Sequence, residues 1–183
     1  MKVRSIILFA AVLFCVATQA QTPTANATNV ISTLRMGPFK INSCKADIEK
    51  IMTTKLVAID KDDYYDTVKV VYNNSNYTLV FSNEYNEDPK APLKMRLVFI
   101  ISTNTSLKTK SGIGLGSTKA QILSAYDKFD INIYNDYQYK EKKNPKDKIQ
   151  LVTLQDFDAG TQIMFTTENR VVTQIMVGIY EGE

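Results

Sequence analysis

The chain carries one segment twice. A shift of 74 residues lays Ile41 to Ile48 on Leu115 to Ile122, and Ser43, Lys45, Ala46 and Ile48 recur as Ser117, Lys119, Ala120 and Ile122. Self-similarity at such a distance means that one supersecondary unit is built two times, which removes most other architectures from consideration. In the second copy Thr118 is followed three residues later by Gln121, the capping box that satisfies orphan backbone donors and starts a helix. Ile122, Ala125, Tyr126 and Phe129 then fall on one helical face. In the first copy Ser43 or Cys44 begins the helix, and Ile48, Ile51 and Met52 form the matching stripe.

Downstream of each helix the period of the apolar residues changes to two. Val68, Val70 and Tyr72 lead into Asn73, Asn74, Ser75 and Asn76, a turn cluster, and Tyr77 to Phe81 forms the return strand. After 84–92 a third strand is predicted over Leu93 to Ile101. The second copy answers with Ile149 to Leu154, a turn over Asp156 to Gly160, a strand from Thr161 to Phe165, a turn at Glu168 and Asn169, and a strand from Val171 to Tyr180. The expected fold class is α+β, with two tandem helix-plus-antiparallel-sheet (α-β-β-β) repeats. Their bounds are 37–103 and 104–183. One continuous sheet and two abutting sheets both satisfy the pattern.

The segment before the repeats has a different character. Met1, Lys2, Val3 and Arg4 precede an apolar run from Ile6 to Ala17 that ends in Thr18, Gln19 and Ala20, the layout of a cleaved signal peptide over residues 1–20. The run is too short to span a bilayer, which needs roughly 20 apolar residues. A secreted or periplasmic location follows, and no membrane span is expected. Residues 21–36, whose first nine are rich in Thr, Asn and Ala with one Pro, read as a flexible leader.

Composition narrows the chemistry. Without Lys2 and Arg4, 20 of the 22 basic residues remain against 19 acidic ones, so no charge excess points to nucleic acid or anionic lipid. His is absent, which removes Ser-His and Cys-His catalysis and the commonest zinc ligand. After cleavage only Cys44 remains, and no intrachain disulfide can form. Cys44 stands at a helix start, where a thiolate is stabilised, yet its aligned partner Thr118 is a cap; an inert, half-buried thiol is expected.

The remaining motifs are weak as chemistry. Gly112, Gly114 and Gly116 lack the Lys placement of a phosphate loop and read as a tight strand-to-helix turn. Asp60, Asp62, Asp63 and Asp66 offer oxygen ligands but lack the Gly and closing Glu of a calcium loop, so a solvated loop is expected. Pairs drawn from Asp127, Asp130, Asp156 and Asp158 have no spacing that singles them out as an acid and a base. No catalytic residue, metal or cofactor is expected. The tyrosines stand apart, because Tyr64 and Tyr65 in the first copy and Tyr134, Tyr137 and Tyr139 in the second lie between each helix and its hairpin. Tyr serves surfaces that are both apolar and wet, so matched loops carrying these five residues form a candidate partner-binding surface.

The run from Gly112 to Tyr126, followed by an aromatic hairpin, resembles the helix-opening motif of the BamE/SmpA and β-lactamase-inhibitor-protein-like superfamily, and the first copy is similar to it. The resemblance implies a small secreted or lipid-anchored unit that sets a helical segment against an antiparallel sheet and binds protein without catalysis. The chain departs from it in Phe14, which spoils the lipobox before Cys15, and in the absence of disulfide staples. The expected function is therefore a noncatalytic protein-binding or assembly module of unknown target. The alternative is small-ligand binding, or weak hydrolysis, in a cleft between the repeats.

Overall fold

The computed structural model describes residues 29–62, 64–83, 94–135 and 149–180. Residues 1–20 of the expected signal, Tyr137 and Tyr139 lie outside the described residues. The elements run β1 (Val30–Ser32), β2 (Arg35–Met36), β3 (Phe39–Lys40), α1 (Lys45–Met52), β4 (Asp60–Lys61), β5 (Tyr65–Tyr72), β6 (Ser75–Asn83), β7 (Met95–Ser102), β8 (Lys108–Thr109), α2 (Lys119–Ala125), β9 (Ile131–Asn135), β10 (Ile149–Asp156), β11 (Thr161–Glu168) and β12 (Val171–Ile179).

The long strands form one eight-stranded antiparallel sheet in the order β4-β5-β6-β7-β12-β11-β10-β9. The strand order on one side of the β7–β12 seam therefore mirrors the order on the other, and the sheet is continuous through that seam. Two-residue turns close two of its hairpins. Asn73 and Asn74 adopt φ 47 and 58, and Asn169 and Arg170 adopt φ 52 and 70, the paired left-handed conformations that match the twist of the flanking strands. A second, four-stranded sheet, β3-β2-β1-β8, lies outside the first.

The expected α+β class is corrected by this architecture. The protein is mostly β, with 54% strand against 12% helix among the described residues, a large antiparallel sheet of eight strands and a second of four. The reasons are local. Helix α1 stops at the left-handed Thr53, and α2 ends at Tyr126, whose φ of −127 leaves the helical region. Phe129, expected on the helical stripe, therefore stands exposed beyond the helix, and the period-two run from Ile131 adds a further strand instead of a loop. Residues 30–36, expected in the leader, form β1 and β2 and bury Ile31 and Met36.

The core lies on one face of the large sheet. Val68, Leu79, Phe81, Leu97, Ile100, Ile175, Phe165 and Val152 face Ile48 of α1, Ile122 of α2, and Ile31, Met36, Phe39 and Leu107 of the small sheet and its approach in one buried cluster. Burial of such side chains stabilises by roughly 1.5–3 kcal/mol each relative to exposure. The duplicated lysines fasten each helix to this face. Lys45 Nζ reaches the buried Asp66 Oδ2 of β5 at 3.2 Å, and Lys119 Nζ donates to Gln150 Oε1 of β10 at 2.9 Å. Thr118 and Gln121 make the full capping box at α2, whereas Cys44 caps α1 without a side-chain bond.

Candidate functional site

Directly paired residues of an antiparallel sheet share a face, so the register assigns every side chain of the second face, which carries neither helix. One row runs Thr67, Val80, Phe99, Gly178, Gln162 and Gln155 across the sheet. The next runs Lys69, Thr78, Ile101, Met176, Met164, Thr153 and Asn132. A third includes Gln174, Thr166, Leu151 and Tyr134. Its centre is apolar, and its flanks are hydroxyls, amides and the exposed Lys69. Most of these side chains are half-buried.

At the β12-β11-β10 part of this face lies a concavity of about 440 Å³, lined by Phe99, Met164 and Met176, by Tyr134, Gln155, Gln162 and Thr153, and by Ile179 and Tyr180 at the end of β12. Among the described residues no Asp, Glu, Lys or Arg lines it. Gln155 Oε1 accepts from Asn132 Nδ2 at 2.9 Å, and Gln162 Nε2 donates to the Ile179 carbonyl at 3.3 Å, which orients both amides. Thr153 is 1% exposed, and its hydroxyl oxygen has no hydrogen-bond partner among the described residues.

The structure distributes the candidate tyrosines over this face instead of gathering them in matched loops. Tyr65 of β5 pairs with Ser82 and Tyr134 of β9 pairs with Leu151, so both point to the second face, but Tyr65 from the strand next to one edge and Tyr134 from the opposite edge strand. Six strand spacings separate them, roughly 29 Å at about 4.8 Å each. Tyr64 is 72% exposed in the loop before β5, where Asp62 Oδ1 accepts from the backbone N–H groups of Tyr64 and Tyr65. Tyr134 alone of the three described residues lines the concavity.

The other candidate groups scatter. Asp66 belongs to the core face, Asp60 lies on β4 and Asp62 closes a turn, and no cluster of three His, Cys, Asp or Glu that would hold a metal occurs among the described residues. Asp156 accepts from Thr33 Oγ1 at 3.2 Å and from the Ala159 N–H at 3.1 Å, a structural role. Arg96 Nη1 donates to Cys44 Sγ at 3.1 Å, which orients the half-buried thiol. Gly112 and Gly116 sit at φ 80 and 79, as a tight turn requires.

Titration shifts fall away from the second face. Burial pushes the Tyr77 phenol up on the core face, the Leu56 N–H and Lys55 hold the Glu49 carboxyl below its ordinary value, and Asp47 raises Lys50. Among the described residues the concavity offers apolar contact and neutral hydrogen-bonding groups. Phe99, Met164, Met176 and Thr153 are absent from the sequence candidates. For Phe99 the signal is the unbroken apolar run Leu97 to Ile101, which implies burial or contact on both faces of the sheet; Met164, Met176 and Thr153 carry no such signal.

No protein-family model, no curated protein and no solved structure matches this chain. Among the described residues no helix is long and apolar enough to cross a membrane.

Proposed function

We propose that this protein is a secreted or periplasmic noncatalytic module that docks another protein on the second face of its large sheet. The observation that carries the reading is the half-buried centre formed by Phe99, Met164 and Met176, ringed by Tyr134, Tyr180 and glutamines and without a charged side chain among the described residues. Aromatic residues and Met are enriched and charge is depleted at the cores of protein interfaces. The N-terminal charged, apolar and small-residue layout supports export. Tyr65 on β5 and Tyr134 on the edge strand β9 mark the breadth of the surface, and Tyr64 extends it.

The test is a charge placed on each face of the full chain. Thr78→Lys and Thr166→Lys on the second face should abolish co-purification of the partner from the native envelope or culture fluid, at unchanged melting temperature. Ser124→Lys, on the exposed side of α2, should leave it intact. A partner retained equally by all three variants, or none captured by the unaltered chain, overturns the reading.

A further inference from the structure

Another concavity, of about 420 Å³, lies at the turn between β10 and β11, and its chemistry differs from that of the docking face. It is lined by Tyr126 and Phe129, where the chain leaves α2, by Asp156, Phe157 and Asp158 at the turn, and by Thr33 between β1 and β2. Phe129 and Phe157 are 64% and 60% exposed, so the two rings form one apolar patch inside a concave site. A tyrosine holds each of them by an edge contact. The Tyr126 and Phe129 centroids are 5.9 Å apart with the ring planes at 77°, and those of Phe157 and Tyr180 are 5.7 Å apart at 89°.

Two of the four aspartates that spacing alone left without a role meet these rings. Asp156 Oδ2 accepts from Thr33 Oγ1 and Oδ1 accepts from the Ala159 N–H, which fixes its carboxylate in place. Asp158 is exposed beside it. Among the described residues no Lys or Arg lines the concavity; Lys128 and Arg35, the cations nearest in sequence to its lining, are not part of it. Aromatic faces are negative and attract a cation, and carboxylates next to them act in the same direction. An anion is repelled here, and a neutral apolar guest would cover carboxylates without compensation.

The acceptors also select the kind of cation. A guanidinium seeks both oxygens of one carboxylate at once, and a primary ammonium seeks three acceptors. Each Asp156 oxygen already accepts one bond. A quaternary ammonium donates no hydrogen bond, spreads its charge over methyl groups, and is the cation that aromatic sites recognise best. We propose that this concavity binds a small quaternary ammonium compound, with its methyl groups against Phe129 and Phe157 and its charge facing Asp156 and Asp158. The site stands apart from the docking reading, because none of Phe99, Met164 and Met176 lines it.

The experiment titrates the full chain, its Phe rings labelled for NMR, with choline, with the neutral alcohol that has carbon in place of the choline nitrogen, with phosphocholine and with n-butylammonium. Choline should shift the ring signals of Phe129 and Phe157, and its affinity should fall as salt is added, since exposed charges are screened. The neutral alcohol should bind roughly threefold or more weakly, for want of the attraction between charge and ring. Phosphocholine, the headgroup of a lipid, should also bind more weakly, because it brings a phosphate beside two carboxylates. Asp158→Asn lies on an exposed turn, and Phe157→Leu keeps the apolar bulk without the ring. Each should weaken choline roughly two- to fivefold, the worth of one exposed contact of its kind. Asp158→Asn should leave the neutral alcohol unchanged. The assignment is overturned by an alcohol that binds as tightly as choline, or by choline affinity that neither substitution moves. Phosphocholine as tight as choline would make the guest a lipid headgroup, and n-butylammonium tighter than choline would make it a lysine-type amine; either result refutes the proposal.

Discussion

The ring of Phe99 occupies the space that a side chain at Gly178 would fill: a Cβ built on Gly178 stands 2.2 Å from Phe99 Cδ1 and 3.0 Å from the Val98 carbonyl oxygen. The two residues pair directly across the β7–β12 seam, so a glycine on one strand lets the aromatic ring of the other lie flat over the sheet. This places Phe99 as floor of the concavity. The same contact ties the mirrored halves of the sheet together at their only strand junction.

Gly178→Ala should therefore destabilise the protein by about 1–3 kcal/mol, the usual cost of overpacking. In a Phe99→Ala background the same substitution should cost far less, because the obstructing ring is gone. Denaturant unfolding of the four members of this cycle measures the coupling, and strict additivity would place the ring elsewhere.

Lys45 and Asp66 lead to a different expectation. Their side chains are 24% and 7% exposed, so removing the carboxylate leaves a largely covered ammonium without its partner. Asp66→Ala should cost roughly 2 kcal/mol, somewhat below the range for fully buried pairs because Lys45 keeps some contact with water. Gln150→Ala, which removes the neutral partner of Lys119, should cost about 1 kcal/mol. Equal losses would mean that charge contributes nothing at the first site.

Thr118→Ala should cost about 1 kcal/mol, because it removes the acceptor for the Gln121 N–H in the capping box. The loss belongs to α2 alone. Hydrogen exchange should report faster exchange in the first turn of α2 and none in α1, where Cys44 makes no side-chain cap bond.

Much of this was legible in the chain. The alternation at Val68 to Tyr72, Tyr77 to Phe81 and Thr161 to Phe165 located strands whose inward residues are the core, because side chains of one strand alternate strictly between faces. The capping box located α2 for the same reason of local chemistry. The proportion of helix was not legible: the stripe Ile122, Ala125, Tyr126, Phe129 has helical spacing, but the chain leaves the helix at Tyr126 and only Ile122 is fully buried. Short strands such as β1 and β2 exist through pairing with distant or adjacent backbone, as Val30 does with Lys108, and two- or three-residue segments carry no period of their own. The binding face was half legible. Tyr134 was named from composition, whereas Phe99 and Met164 become a site only when the register sets them side by side.

Acid sensitivity should centre on α1. The Leu56 N–H and Lys55 stabilise the ionised Glu49 carboxylate, and its folded pKa is lowered. A depressed carboxyl contributes stability that is present above its unfolded pKa and is lost as pH falls through the folded value. Glu49→Gln should flatten that acid limb while leaving the neutral-to-alkaline part of the stability profile parallel to the unaltered chain. Thermal melts between the Glu range and strongly acidic pH test this, and an unchanged acid limb would count against the Leu56 contact.

Three buried threonines predict opposite signs for one substitution. Thr153 on the second face and Thr161 on the core face have hydroxyl oxygens without a partner among the described residues, while Thr167 Oγ1 donates to the Gln150 carbonyl at 3.0 Å. Replacement by Val keeps the branched shape and removes only the hydroxyl. An unsatisfied hydroxyl costs roughly 1–3 kcal/mol to bury, so Thr153→Val and Thr161→Val should raise the melting temperature. Thr167→Val deletes a made bond and leaves a carbonyl short of a donor, so it should lower stability by about 1 kcal/mol. A common sign for all three would mean that trapped water satisfies the first two hydroxyls.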